Sequence, residues 1–205
     1  MKNIDMLNIY LLRHGETQWN ADGNKYCGRT DVPLTQKGIN QAKLVSEQLS
    51  EIIFDQVYSS PLQRAYQTAQ IVSNQNNIIS DNRLIEADFG KWEGKTKEQF
   101  ILENKNLWKD WENDPVSTQA GENGETAWDV IIRVEDFFSS LLDKHDQGNL
   151  LVVAHNGVNR FYLAHKLGMN IKDYRMILQE NSSITLFSLS KNGDFTLKLL
   201  NSRGV

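Results

Sequence analysis

Asn8-Ile9-Tyr10-Leu11-Leu12-Arg13-His14-Gly15-Glu16-Thr17 is the stretch from which the rest of the chain can be read. A short, mostly apolar run gives way at once to a polar cluster containing a glycine. This is the pattern of a buried strand whose C-terminal end opens into a loop. A second stretch repeats it: Leu150–Ala154 is wholly apolar, and His155-Asn156-Gly157 follows directly. Gln56–Ser59 reads as another strand and Ile78–Arg83 as a third short one. Helices are expected over Gln36–Ser50, capped by Thr35 and burying Ile39, Ala42, Leu44, Val45 and Leu49. Another should open at Ser60-Pro61 and run to about Ser73. A capping box at Thr126–Asp129 starts a long amphipathic helix ending near His145, and a further helix spans about Val158 to Leu167, closed by Gly168. Ile184–Ser190 and Phe195–Leu200, joined by Asn192-Gly193-Asp194, form a terminal hairpin. Strands alternating with helices indicate an α/β sandwich, in which ligands bind beyond the C-terminal strand ends. His14 and His155 both fall there.

The 205 residues suit a single domain over 1–205. Its irregular, tryptophan-rich segment at about 87–123 reads as a small helical insertion over the sheet edge. Trp92, Trp108 and Trp111 either pack that insertion or offer a surface to substrates with an apolar ring. Cys27 is the only cysteine, which excludes an internal disulfide framework and fits a reducing, cytoplasmic setting. The segment Met1–Leu12 is interrupted by Lys2, Asp5 and Asn8 and has no small-residue cleavage site, so no targeting signal is expected. The longest apolar runs fall far short of a membrane span, and no membrane partner is expected. A net charge of −4 argues against nucleic acid, so attraction of an anion must come from a local basic pocket. A monomer and a homodimer paired through the hairpin edge are both open.

Three strand-to-helix junctions concentrate the chemistry: Arg13-His14-Gly15, Ser59-Ser60-Pro61 leading to Arg64, and His155-Asn156-Gly157. A phosphoryl group needs several positive donors on its nonbridging oxygens, and guanidinium supplies them in a bidentate fork. Arg64 lies in the first turn of its helix, where free amides and the helix dipole also favour an anion. Gly157 permits close backbone approach to a ligand. The imidazole of His14, partly neutral at pH 7, can accept a phosphoryl group and surrender it to water. The leaving alkoxide then needs a carboxyl proton donor, for which Glu86 and Asp88 are both placed. No cluster of carboxylates suggests magnesium, so no metal or other cofactor is expected.

At these residues the chain resembles the histidine phosphatase superfamily in its phosphoglycerate-mutase-like branch. The resemblance rests on Leu12–Thr17 with Trp19-Asn20, on Gly28–Thr35, and on Ser59–Ala69. It continues through Phe89–Gly94, Gly124–Thr126 and Ala154–Gly157, all in the family's order. It implies a three-layer α/β/α sandwich with a mostly parallel sheet and a helical cap. It also implies that His14 is phosphorylated and that Arg13, Arg64 and His155 hold the transferred group. Glu86, rather than Asp88, takes the acid/base position. Asn20, Asn156 and the Gly157 backbone would touch phosphate, while Cys27 and Gly28 lie in the loop beside the pocket as spacers or substrate contacts.

The expected activity is hydrolysis of a small phosphorylated metabolite. The Phe89–Gly94 stretch is similar to the small bacterial phosphatases, including α-ribazole phosphatases. The cap region Leu107–Trp111 lacks the adjacent arginines of the 2,3-bisphosphoglycerate-dependent phosphoglycerate mutases. A mutase is the alternative, and a non-catalytic phospho-ligand-binding protein a second one, although none of the expected residues is missing. Metal ligation by His14, His155 and a carboxylate is disfavoured by the charges of Arg13 and Arg64. Arg29 is expected to order its loop, and His145 and His165 to be surface residues compensating helix dipoles.

Overall fold

The computed structural model describes residues 6–203. The first five residues, part of the segment read above for a targeting signal, lie outside them. Six strands form one sheet in the order β3-β2-β4-β1-β5-β6. They are β1 (Leu7–Arg13), β2 (Gln56–Ser59), β3 (Ile78–Ser80), β4 (Gly148–Ala154), β5 (Ile184–Leu189) and β6 (Phe195–Ser202). The first four in that order run parallel; β5 and β6 are antiparallel additions on the far side of β1. Helices α1 (Gln18–Ala21), α2 (Gln36–Gln48), α3 (Gln63–Ser73), α4 (Lys97–Glu103), α5 (Lys105–Asn113), α6 (Ala127–Lys144) and α7 (Asn156–Lys166) complete the framework. Among the described residues, no helix is long and apolar enough to cross a membrane.

Strand alternation divides the interior in two. Leu150, Val152 and Ala154 of β4 face one apolar cluster with α6 and α7, whereas Leu151 and Val153 face a second with α2 and α3. Ile9 and Leu11 of β1 join the first cluster and Leu12 the second. A strand covered on both faces must be apolar at every position, which is why β4 carries no polar residue after Asn149. Three layers follow directly.

The helix starts largely obey the local signals. Thr35 accepts from the Gly38 amide, and Thr126 and Asp129 form a reciprocal capping box. Four expectations need correction. Helix α3 begins at Gln63 with Leu62 as N-cap, not at Ser60-Pro61, and the Gln63 amide is met by Asp31 Oδ1 at 2.9 Å. The Ser60 hydroxyl is instead committed to His155, as described below. Leu44 is exposed on the outer face of α2, where Ala42 and Val45 face the apolar cluster under the sheet and Gly38 packs against Glu16. The third strand stops at Ser80, and residues Asn82–Leu84 turn into a 3-10 helix whose N-cap is Asp81. Finally, His145 is no free surface group: its Nε2 pairs with the Tyr58 hydroxyl at 2.9 Å.

The segment at about 87–123 contains α4, α5 and two 3-10 turns. Trp92, Trp108 and Trp111 are buried with Phe100 in one aromatic cluster, where Trp92 stacks on Phe100 at 4.7 Å between centroids. They pack the insertion; none of them lines the cavity described next.

Candidate active site

Register places the two histidines side by side. Arg13 of β1 pairs with Ala154 of β4, so His14 and His155 leave adjacent parallel strands together, and the His14 amide donates to the Ala154 carbonyl at 3.1 Å. Their rings meet edge-on, 5.1 Å between centroids. His14 Nδ1 lies 2.7 Å from the Gly15 carbonyl, which fixes the proton on Nδ1 and leaves Nε2 with its lone pair. Burial, then the charges of Arg64 and Arg13, hold His14 neutral, well below the usual histidine range. Burial, Arg64 and His14 do the same to His155, whose Nε2 pairs with Ser60 Oγ at 2.8 Å.

The backbone around His14 is fixed by close packing. A Cβ on Gly15 would lie 2.5 Å from the Gly38 carbonyl oxygen, so only glycine lets the start of α2 reach this loop. The loop after the 3-10 helix Ile171–Met176 closes the other side: the Ser182 amide and the Asn181 side-chain amide donate to the carbonyl of His14 at 3.2 and 3.1 Å. Arg13 is anchored by donation from Nη1 to the Gln179 carbonyl at 2.8 Å, and burial followed by the charge of Arg160 lowers its pKa to about 10.

A cavity of about 390 Å³ opens beside His14. Of the residues read from sequence, Arg13, His14, Asn20, Cys27, Glu86, Asn156 and Gly157 line it. Arg64, His155 and Gly28 are buried and do not line it. Gly28 turns its carbonyl onto Arg64 Nη2 at 2.6 Å, and Thr30 takes Nη1 at 2.8 Å, so the 27–30 loop is pinned over that guanidinium. Arg29 holds the same loop from outside through Glu125 at 3.2 Å. Asn20 is the third residue of α1 and completes the capping box by accepting from the Thr17 amide at 3.1 Å, and its Oδ1 also accepts from Asn181 at 3.2 Å. Burial pushes the Cys27 thiol up to about 11.

Glu86 and Asp88 separate cleanly. Glu86 is buried, and its carboxylate accepts from the amides of Ala87 at 2.8 Å, Gly157 at 3.0 Å and Val158 at 3.1 Å. It therefore sits on the N-terminus of α7, against the positive end of the helix dipole. Asp88 lies outside the cavity and accepts from the Gly90 amide at 2.9 Å. Four buried polar atoms here have no protein partner: Arg13 Nε, Arg64 Nε, His155 Nδ1 and Asn156 Oδ1. Buried polar groups are almost always paired, so the concentration of unpartnered ones near one imidazole marks a candidate binding site.

Sequence reading missed Arg160, Arg175, Tyr26 and Tyr174, all of which line the cavity. Arg160 had a usable signal, since it stands four residues after Asn156 on the same face of α7. Arg175 had none: it lies in the short 3-10 helix Ile171–Met176 and is brought in by tertiary packing. Among the described residues, no group of three or more His, Cys, Asp or Glu side chains is arranged to hold a metal ion.

Comparison with known proteins agrees with this geometry. The chain is 30% identical over 196 residues to phosphoserine phosphatase 1 of Hydrogenobacter thermophilus, covering 95% of this chain and 92% of that protein. It is 34% identical to the adenosylcobalamin/α-ribazole phosphatase of Salmonella typhimurium, covering 97% and 98% of the two chains. The solved structure of an Entamoeba histolytica phosphoserine phosphatase bound to 3-phosphoglyceric acid superposes with a TM-score of 0.86 at 30% identity, over 96% of this chain and 97% of that one. Residues 9–203 match the histidine phosphatase superfamily (branch 1), and the chain belongs to that family.

Proposed function

We propose that this protein is a cytoplasmic phosphomonoester hydrolase that acts on a small phosphorylated metabolite through a phosphohistidine at His14. The observation that carries the reading is the neutral, Nδ1-anchored imidazole of His14 among the unpartnered donors Arg13 Nε, Arg64 Nε and His155 Nδ1. In the first step His14 Nε2 attacks phosphorus and the phosphorus–oxygen ester bond breaks. Arg13, Arg64 and His155 balance the charge on the nonbridging oxygens. Protonated Glu86 gives its proton to the departing alkoxide, releasing the alcohol. In the second step water attacks the phosphohistidine, Glu86 recovers a proton from it, and phosphate leaves with His14 neutral again. Phosphate oxygens would draw on the Gly157 amide that Glu86 now occupies, which frees the carboxyl to approach the leaving group.

The phosphatases among the relatives support hydrolysis over transfer. One observation favours the alternative: Arg160 and Arg175 supply cavity charge that the sequence of the cap, Leu107–Trp111, lacks. The test is rapid quench with 32P-labelled substrate, followed by mapping of the acid-labile phosphoryl group. Labelling of wild type at His14 and none in His14→Ala is expected, with steady release of inorganic phosphate. Isomerisation of 3-phosphoglycerate in the presence of 2,3-bisphosphoglycerate, without phosphate release, would establish the mutase instead. Tight ligand binding without label or turnover would establish a binding protein.

A further inference from the structure

Of the stretches that carry the resemblance, Phe89–Gly94 takes no part in the reaction described above. The fold brings its Glu93 against the 27–30 loop. Glu93 Oε1 accepts from the Arg29 amide at 2.7 Å, and Oε2 accepts from the Thr30 amide at 3.1 Å and from the Thr30 hydroxyl. Both carboxylate oxygens are therefore committed to one turn of the loop. Gly28 leaves room for them, because a Cβ there would collide with Glu93 Oε1 and lie 2.6 Å from the Ala87 carbonyl oxygen. Glu93 is itself well supported. It follows the 3-10 turn Gly90–Trp92, its amide donates to the Gly90 carbonyl at 3.1 Å, and Trp92 is buried in the aromatic cluster. The packed insertion thus ends in a carboxylate aimed at the loop.

The consequence falls on Arg64. The Arg29 N–H and the Gly28 C=O belong to one trans peptide and point in opposite directions. Holding the first on Glu93 turns the second away from it, onto Arg64 Nη2 at 2.6 Å. The Thr30 carbonyl takes Nη1 at 2.8 Å. With both terminal nitrogens tied, rotation of the guanidinium is fixed, and Nε is left as a buried donor without a protein partner. After burial, the charge of Arg64 is the largest influence on both His14 and His155, so this guanidinium stands against both imidazoles. The Arg29 side chain also pairs with Glu125 at 3.2 Å, but it is half exposed, and such pairs contribute little. The grip on the main chain is the stronger restraint.

We propose that Glu93 is a positioning residue for phosphoryl binding: it seats the Arg29 peptide so that the Gly28 and Thr30 carbonyls hold Arg64 with its Nε toward the phosphoryl group. This rests on the phosphatase reading, and the two can fail separately. Glu93→Gln keeps the size of the side chain but sets an amide –NH2 where one acceptor oxygen stood, opposite a backbone N–H. It should lower kcat/KM for p-nitrophenyl phosphate by about 10- to 100-fold, the size of a hydrogen bond to a charged group. Glu93→Ala should lose at least as much, and the glutamine variant covers the case in which the alanine variant fails to fold. The discriminating measurement is a double-mutant cycle with Arg64→Met. Without the guanidinium, Glu93→Gln should change kcat/KM by less than about threefold, whereas a part played only in folding would repeat the full loss in both backgrounds. A second readout needs no turnover: the NMR signal of the Arg64 Nε–H, assigned by its disappearance in Arg64→Lys, should shift when inorganic phosphate is added to wild type. In Glu93→Gln that shift should shrink by at least half. Equal losses in both backgrounds, or an unchanged response of the Nε–H signal, would overturn the positioning role and leave the phosphatase intact. Absence of hydrolysis by wild type would overturn the phosphatase, and the phosphate titration would then decide the role of Glu93 alone.

Discussion

Burial and two flanking arginines keep the His14 imidazole neutral, while the Gly15 carbonyl takes the proton on Nδ1. Cys27, the other nucleophile near the cavity, has its thiol raised to about 11 by burial and is almost wholly protonated at neutral pH. The division of labour therefore rests on environment as much as on residue type. The same is true of the two acids: Glu86 reaches the cavity from beneath α7, and Asp88, two residues on, caps a turn outside it. Glu86→Gln tests the assigned role, because an amide keeps the shape but has no proton to give. It should slow hydrolysis of an alkyl phosphate by about 10²- to 10⁴-fold. Loss on p-nitrophenyl phosphate, whose leaving group needs little protonation, should be at least tenfold smaller. Steady-state kinetics on both substrates checks this; equal losses would remove Glu86 from the proton-donor role.

At the scale of elements, the position of His14 depends on how α2 meets the loop after β1. A Cβ at Gly38 would lie 2.7 Å from the Glu16 amide nitrogen and closer still to the Glu16 carbonyl. Gly38→Ala must push that backbone, two residues from His14, and should cost about 1–3 kcal/mol of stability through overpacking together with a fall in kcat. Thr126→Ala provides the contrast. It removes the capping-box hydroxyl at the start of α6, remote from the cavity, and should cost about 1 kcal/mol while leaving kcat within twofold. Urea unfolding and initial rates on both variants separate the two kinds of loss. A Gly38→Ala protein with wild-type kcat would show that the α2 contact does not set the geometry of His14.

Across the whole molecule, two neutral histidines are enclosed near three arginines, Arg13, Arg64 and Arg133, and this has a consequence for pH. His14 and His155 are depressed in the folded state, so below the unfolded histidine value of about 6.5 the unfolded chain binds protons that the fold refuses. Their contribution to stability is complete above that pH and is lost as pH falls. Each histidine gives a slope of up to about 1.4 kcal/mol per pH unit. Asp81 and Glu16 are also depressed, but as carboxylates they act in a lower window, below about pH 4.5. Urea midpoints followed by tryptophan fluorescence should therefore fall between pH 7 and 5, and His155→Gln should flatten the slope by roughly half. A flat profile over that range would mean that the histidines charge freely in the folded protein.

The apolar runs at β1 and β4 determined the strands by themselves, because a strand covered on both faces has no room for polar residues. The glycines, caps and His-Gly junctions determined where those strands hand over to loops. For that reason Arg13, His14 and His155 could be placed at strand ends without coordinates, whereas the choice of Glu86 over Asp88 came from the family resemblance. Local signals failed where a distant group supplied the cap or partner: Asp31 reaches the start of α3, and Tyr58 takes up His145. Tertiary structure alone decided that the tryptophans are buried, that Gly28 and Thr30 close over Arg64, and that Arg175 enters the cavity on Trp108. The physical reason is range. Burial patterns and capping act within a few residues and are written in the sequence, whereas the grip of Glu93 on the amides of Arg29 and Thr30 exists only once the chain has folded.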